Sequence, residues 1–292
     1  VGNLGVVRDT TFAVALKYLR KRGLVALDDK LTDKGNKFVK EHHFSAPFVV
    51  KMTPYGFDYD SSALDIDSRK VLEVLSKRPS PDYTLDHQPL LPELTIMRAH
   101  YIASEELLFD KNVAMVGDYD STSIALNFIS KVGRTVIFDI DTNLLEYFTK
   151  QSVSHNLGLE VVCCDIFRYD FSQYDGKFDV FVTDPPYAMS GMRGFIERGI
   201  SLLKDGGIGY IAVPFHDGIS WTERMLYEVN KIIIDKGCVI TDTYKYFHRY
   251  QTADGLRSSM IRIKKGARAK PIAIDKLYSY QTENINKPEV VL

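Results

Sequence analysis

The feature that most constrains the fold is a regular alternation of short apolar runs with segments of helical spacing in the second half of the chain. The runs are rich in β-branched and aromatic residues and lie at 113–116, 135–138, 159–164, 178–183 and 208–213. Strands that alternate with helices predict a parallel sheet covered by helices on both faces. Two further runs, 239–246 and 258–263, have no helix between them and predict an antiparallel pair at one edge. The fold class is therefore α/β.

The first 44 residues have the pattern of a small separate domain. A helix capped by Thr10 ends at Gly23, a short strand at 24–27 enters a turn, and 31–39 begin a second helix. This order resembles the wing end of winged-helix domains. Such a module either binds nucleic acid or serves as a packing or dimerisation element. We favour the second interpretation because the chain has no surplus of basic residues.

The region that follows is predicted to connect this module to the sheet and to form part of a substrate site. Four prolines between positions 79 and 92 exclude one continuous helix there, although a helix is predicted at 68–76. The predicted domains are a winged-helix-like domain at 1–44, a connector at 45–104, a Rossmann-like catalytic domain at 105–270 and a C-terminal tail at 271–292.

The charge and the cysteines narrow the functional class. The 292 residues include 37 basic and 38 acidic ones, a formal net charge of -1, which disfavours a dedicated nucleic-acid binder. No apolar run has the length that spans a bilayer, so no membrane contact is expected. Cys163, Cys164 and Cys238 have neither a disulfide pattern nor zinc spacing. We expect a cytoplasmic protein without a structural metal.

Acidic residues follow the predicted strands at the edge where open parallel sheets bind ligands. Asp139 can accept hydrogen bonds from both ribose hydroxyls of a nucleoside, and Asp165 can accept one from an adenine amino group, with Ile166 against the ring. Asp141 is predicted instead to cap the helix that begins at Thr142. Carboxylates in register at one sheet edge indicate an adenosyl site.

The loop after the first strand of the sheet favours a particular donor. Methyl-donor sites hold the methionine carboxylate on the amides of a glycine-rich loop. Here Gly117 is followed by two acids, Asp118 and Asp120, which repel a carboxylate and attract an ammonium group. The loop therefore suits decarboxylated S-adenosylmethionine, a donor of aminopropyl groups, better than S-adenosylmethionine. Acidic side chains also attract polyamine acceptors.

The fourth strand ends in Asp184-Pro185-Pro186-Tyr187, a sequence that suits the placing of an amino nitrogen in line with a sulfonium carbon. Asp184 can accept a hydrogen bond from the nucleophile, the backbone at Pro185 can accept another, and Tyr187 can lie against a cation. After the fifth strand, His216 could take a proton and Asp217 could hold a second ammonium group.

Most of the chain resembles the branched-chain polyamine synthase family, the N4-bis(aminopropyl)spermidine synthases of thermophilic archaea and bacteria. The matching segments are Asp86-His87-Gln88, Pro92-Glu93-Leu94-Thr95, Gly117-Asp118-Tyr119-Asp120, Phe138-Asp139-Ile140-Asp141 and the Asp184 motif with Ser190-Gly191. The family carries three acids after the glycine, and Tyr119 departs from that pattern. The resemblance implies a class I methyltransferase-like Rossmann fold and assigns a catalytic role to Asp120, with Asp184 in support.

The resulting hypothesis is a transferase that moves aminopropyl groups from decarboxylated S-adenosylmethionine to the secondary amine of spermidine. Gln88 and Glu93 are further candidate substrate-binding residues, and a homodimer is expected. One alternative is an S-adenosylmethionine-dependent amino-methyltransferase that acts on nucleic acid through the N-terminal module. Another is a regulator that binds nucleic acid and only senses a nucleoside.

Overall fold

The structure, a computed structural model, describes residues 17, 19–28, 30–41, 51–53, 56–58, 66–216, 218–251 and 257–266. Its helices are α1 (Asp33–Glu41), α2 (Ile66–Leu75), α3 (Pro92–Glu105), α4 (Thr122–Ile129), α5 (Thr142–His155), α6 (Met189–Leu202) and α7 (Ser220–Asp235). Its strands are β1 (Lys51–Thr53), β2 (Gly56–Asp58), β3 (Asn112–Val116), β4 (Arg134–Asp139), β5 (Leu159–Cys163), β6 (Phe178–Thr183), β7 (Leu203–Pro214), β8 (Cys238–Arg249) and β9 (Arg257–Lys265). Within these ranges no helix combines the length and apolar character needed to cross a bilayer.

The main sheet has the strand order β5-β4-β3-β6-β7-β9-β8. The strands from β5 to β7 pair in parallel, and β9 pairs antiparallel with both β7 and β8. The α/β prediction and the antiparallel edge are thus confirmed, with β9 inserted between β7 and the edge strand β8. This arrangement is the class I methyltransferase-like Rossmann sheet that the resemblance implied.

The structure describes only part of the predicted winged-helix-like region. A turn in which Val25 bridges antiparallel to Leu31 leads into α1. Most of the predicted first helix, including Thr10, lies outside the described residues, so the winged-helix interpretation stays a prediction.

The segment before the sheet is more helical than the prolines suggested. The predicted helix at 68–76 is α2, and a second helix, α3, begins at Pro92. Proline is tolerated in the first turn of a helix, because the amide hydrogen it lacks would have no helical partner there. The central part of α3, from Leu94 to Ile102, is buried, and α3 packs against α4. α3 therefore belongs to the layer that covers one face of the sheet.

Phe181 of β6 explains why two glycines are needed on the other face of the sheet. Its fully buried ring occupies the space that a Cβ atom would need at Gly199 of α6 and at Gly209 of β7. The absence of both side chains lets α6 lie directly on the ring. By contrast, the ring that a Cβ atom at Gly194 of α6 would meet belongs to Phe167, which is 60% exposed.

These two glycines of one helix give a matched pair for a stability test. We expect Gly199→Ala to lower the free energy of unfolding by about 1–3 kcal/mol, because the enclosed Phe181 ring cannot move aside. Gly194→Ala should be neutral or stabilising by up to about 1 kcal/mol, since Phe167 can rotate into solvent and alanine favours the helix. Chemical denaturation monitored by circular dichroism measures both. Equal destabilisation of the two variants would contradict the packing argument.

Candidate active site

A cavity of about 240 Å³ lies at the carboxyl ends of β3, β4, β5 and β6. Its walls come from the loops that follow these strands, from the segment before α3 and from α6. Ten predicted site residues line it: Gln88, Gly117, Asp118, Asp120, Asp139, Asp165, Ile166, Asp184, Pro185 and Tyr187. The sheet thus brings together residues that lie almost 100 positions apart in the sequence.

The loop after β3 is built by Gly117 and Asp118. Gly117 has a φ of 68°, and a Cβ atom there would lie 3.0 Å from Cε1 of Phe195. Asp118 is buried, and its two carboxylate oxygens accept hydrogen bonds from the amides of Thr122 (2.8 Å) and Ser123 (3.0 Å). Burial raises the pKa of Asp118 to about 7. Its carboxylate therefore occupies the amino-terminal end of α4.

The acids after β4 and β5, Asp139 and Asp165, both line the cavity. Asp139 accepts hydrogen bonds from the amides of Asp118 (3.2 Å) and Asp141 (3.0 Å), and burial raises its pKa. The carboxylate thereby joins the first two loops at the cavity wall. Asp165, whose Oδ1 accepts from the amide of Phe167 (2.9 Å), lies beside Ile166 in the same wall. Asp141 caps α5, which confirms its predicted role.

Arg98 of α3 is the charged centre of the site, and the sequence analysis did not identify it. Its side chain is 2% exposed, and its Nη2 donates a hydrogen bond to Asp184 Oδ2 at 2.8 Å. Its Nη1 lies 3.5 Å from Asp120 Oδ2 and donates to Thr122 Oγ1 at 3.3 Å. One guanidinium therefore binds the two predicted catalytic carboxylates, which come from different strand ends.

Asp120 is the more enclosed of these two carboxylates. Its Oδ1 accepts from the amide of Leu90 at 2.9 Å and lies 3.7 Å from Nη1 of Arg78. Its side chain is 5% exposed, against 17% for that of Asp184. Asp120 thus holds the segment before α3 onto the loop after β3.

Asp184 combines partial exposure with a perturbed proton affinity. The hydroxyl of Tyr250 donates to both of its oxygens at 3.2 Å. Burial raises the pKa of Asp184 to about 6, with Arg98 acting in the opposite direction and Asp120 adding to the rise. The carboxylate consequently gains or loses a proton close to neutral pH.

Tyr119, the residue that departs from the family pattern, contacts the side chains of Arg78 and His87. The guanidinium of Arg78 lies 4.4 Å from the centre of its ring, and the imidazole of His87 stacks on the ring at 4.2 Å. Burial lowers the pKa of His87, with nearby carboxylates led by Asp139 opposing the change. His87 lines the cavity. The tyrosine therefore fixes a neutral imidazole at the cavity wall.

The segment 86–88 is joined directly to the Asp184 motif. Asp86, in a left-handed conformation with a φ of 62°, accepts a hydrogen bond from the amide of Tyr187 at 3.0 Å. Tyr187 donates through its hydroxyl to Tyr250 at 2.6 Å. Two of the segments that carried the family resemblance thus form one side of the cavity.

Two of the predicted substrate-binding residues do not line the cavity, and a third lies outside the described residues. Glu93 lies in the first turn of α3 and does not line the cavity. His216 packs beside the ring of Tyr246 at 5.8 Å and is also absent from the lining. Asp217 lies outside the described residues. In the described part of the chain, no group of histidine, cysteine and acidic side chains is arranged to hold a metal.

Solved structures with similar folds include enzymes of two types. The branched-chain polyamine synthase from Thermus thermophilus, in complex with N4-aminopropylspermidine and 5'-methylthioadenosine, is similar with a TM-score of 0.64 at 22% identity, over 70% of this chain and 65% of that one. A putative RNA methyltransferase from Pyrococcus horikoshii has a TM-score of 0.53 at 15% identity, over 68% of this chain and 98% of that one. At these identities the similarity shows the fold alone.

Sequence comparisons identify the family. Proteins named N(4)-bis(aminopropyl)spermidine synthase are 30% identical in Methanocaldococcus jannaschii, over 80% of this chain and 68% of the relative, and 33% identical in Thermococcus kodakarensis, over 61% and 51%. The chain therefore spans between half and little more than two thirds of these relatives. The family model described as the branched-chain polyamine synthase A C-terminal domain matches residues 66–286. The chain belongs to the branched-chain polyamine synthase family.

Proposed function

We propose that the chain transfers aminopropyl groups from decarboxylated S-adenosylmethionine to the secondary amine of spermidine, giving branched-chain polyamines and methylthioadenosine. The observation that carries the proposal is the Asp118 carboxylate at the amino-terminal end of α4, within a cavity lined by further acids. The names of the relatives, and the N4-aminopropylspermidine and 5'-methylthioadenosine bound to the Thermus thermophilus structure, support the same donor and acceptor.

The preference for a donor without a carboxylate follows from the two backbone amides that donate hydrogen bonds to Asp118. Free amides at the start of a helix bind anions, and this is where a methionine carboxylate would be held. Here the amides of Thr122 and Ser123 already bind a carboxylate of the chain itself. A donor carboxylate would find no free amide there and would meet the charge of Asp118. A donor without that carboxylate avoids both costs.

The nucleoside of the donor fits the wall formed by the loops after β4 and β5. Asp139 has lone pairs left for ribose hydroxyls, because a carboxylate can accept about four hydrogen bonds and two come from backbone amides. Asp165 and Ile166 then face the adenine, with Phe195 of α6 on the side of Gly117. These assignments keep the roles predicted from the sequence.

The reaction is a displacement at the methylene carbon bonded to the sulfonium. The nitrogen lone pair forms the new C–N bond, the C–S bond breaks, and its electron pair remains on the sulfur of neutral methylthioadenosine. The attacking nitrogen must first lose its ammonium proton to a base. We assign this proton to Asp184, because this acid is more exposed than Asp120 and its pKa is raised to about 6. Asp120 positions Arg98 and the Leu90 segment.

The donor preference should depend on pH. Asp118, with a pKa raised to about 7, is protonated below that pH and charged above it. We therefore expect decarboxylated S-adenosylmethionine to bind at least about tenfold more tightly than S-adenosylmethionine at pH 8, with the ratio narrowing at pH 6. Isothermal titration calorimetry measures both ligands, with methylthioadenosine as a control whose affinity should not follow this pattern.

Equal or tighter binding of S-adenosylmethionine at pH 8 would exclude the proposed donor. It would instead favour the amino-methyltransferase alternative.

The base assignment can be tested by two isosteric substitutions. We expect Asp184→Asn to lower kcat/KM for spermidine by about 100-fold or more, because an amide cannot take the ammonium proton. In the unsubstituted protein, kcat/KM should fall as the pH drops below about 6, where Asp184 becomes protonated. Asp120→Asn should retain this decrease of kcat/KM at low pH, the acidic limb of the pH profile, even if turnover falls. An acidic limb that disappears in Asp120→Asn and persists in Asp184→Asn would reverse the two roles.

A further inference from the structure

A row of buried hydrogen bonds connects the edge of the sheet to Asp184. Nδ1 of His248 in β8 lies 2.7 Å from Oγ of Ser258 in β9, and this Oγ lies 2.8 Å from the hydroxyl of Tyr250. Tyr250 in turn lies 3.2 Å from both oxygens of Asp184. His248 and Ser258 are fully buried. Neither His248 nor Ser258 lines the cavity.

Arg98 fixes the protonation of His248. Its Nε donates a hydrogen bond to Nε2 of His248 at 3.0 Å, and a guanidinium nitrogen in this position can only donate. Nε2 must therefore carry no hydrogen, which leaves the neutral ring with its hydrogen on Nδ1. Burial and the adjacent Arg98 charge hold the pKa of His248 well below its usual value, in agreement with a neutral ring.

The hydrogen on Nδ1 determines the direction of every hydroxyl that follows. Ser258 accepts from Nδ1 and must use its own hydrogen to donate to Tyr250. Tyr250 also accepts from the hydroxyl of Tyr187 at 2.6 Å, so its hydrogen points to Asp184. Tyr187 has then used its hydrogen as well. Any further hydrogen bond made by the Tyr187 hydroxyl or by ionised Asp184 must be one that it accepts.

We propose that His248 is a positioning residue that sets this direction, so that Asp184 and Tyr187 meet the substrate as hydrogen-bond acceptors only. An N–H group of an amine or ammonium satisfies both acceptors, whereas a carbonyl, carboxylate or phosphate oxygen satisfies neither. The proposal rests on the proposed function in one respect, the identification of the acceptor amine as the group that meets Asp184.

Several neighbouring groups determine the pKa of Asp184. Arg98 of α3 and the hydroxyl of Tyr250 favour its ionised form, whereas Asp120 and burial oppose it. Loss of the Tyr250 hydrogen bond should therefore raise the pKa of Asp184, because a hydrogen bond to the charged form stabilises that form. His248 reaches Asp184 only through Ser258 and Tyr250 on one side and through Arg98 on the other.

The tautomer can be observed without any enzyme assay. Two-dimensional NMR of ¹⁵N-histidine-labelled protein distinguishes the two neutral tautomers and the charged ring, and a His248→Asn variant identifies the resonances. We expect His248 to remain neutral with its hydrogen on Nδ1 from pH 5.5 to 8.5. A hydrogen on Nε2, or titration within this range, would overturn the proposal. This result does not depend on which reaction the protein catalyses.

The effect on the reaction can be tested with residues of similar size. His248→Asn keeps an amide nitrogen to donate and an oxygen to accept, and should retain kcat/KM within about threefold. His248→Leu removes both groups, and should lower kcat/KM about tenfold and raise the midpoint of its acidic limb by about half a pH unit or more. Equal losses in both variants with an unchanged limb would overturn the positioning role.

Adjacent serines of β9 supply the matched control. Ser258→Ala interrupts the row and should shift the acidic limb in the same direction as His248→Leu. Ser259 is equally buried, and its hydroxyl has no hydrogen-bond partner among the described residues, so Ser259→Ala should leave the limb unchanged. Identical pH profiles of kcat/KM for Ser258→Ala and Ser259→Ala would contradict the proposed role of this row of hydrogen bonds. If spermidine is not a substrate but the NMR result holds, the proposed function fails and the tautomer assignment stands.

Discussion

The buried guanidinium of Arg98 is the interaction on which the rest of the site depends. A charge removed from water is tolerated only when it is paired and hydrogen-bonded, so its partners are drawn to it from several parts of the chain. Asp120 comes from the loop after β3, Asp184 from the loop after β6, and His248 from the edge strand β8. Because α3 carries this residue against the end of the sheet, α3 contributes to the wall of the cavity.

The pairing changes the electrostatic character that the sequence suggested. The acids at the strand ends were predicted to attract an ammonium group and polyamine acceptors, but two of them share Arg98, and Arg78 lies near Asp120. The attraction for cationic substrates is therefore smaller than a count of carboxylates implies. The pairing holds the Asp184 carboxylate in a fixed place, and burial raises the pKa of that carboxylate to about 6 against the opposing effect of Arg98. Proton transfer at neutral pH requires a group of this kind.

The sequence was sufficient where local rules decide the structure and insufficient where distant residues meet. Apolar runs and helix caps depend on neighbours along the chain, and the positions of the main-sheet strands along the chain and the cap at Asp141 were predicted correctly. Arg98 lies in an apolar stretch of α3, and its contact with His248 joins residues 150 positions apart, which no local pattern reveals. A lone arginine within such a stretch was the available signal. Pro92 was interpreted as part of an irregular segment, but α3 begins at this residue. Proline is excluded from the interior of a helix and favoured in its first turn, so its presence alone does not distinguish the two cases.

Asp118 shows how one residue can serve folding and selectivity together. As a cap it satisfies two amides at the start of α4, and without it those amides would need water or a ligand. The same amides are the groups with which a methyl-donor site would hold a carboxylate. A residue that completes the helix therefore also removes the binding site for the part of S-adenosylmethionine that its decarboxylated form lacks. Because burial raises the pKa of Asp118 to about 7, its side chain carries the charge that repels a donor carboxylate above that pH, and the selectivity should be strongest there.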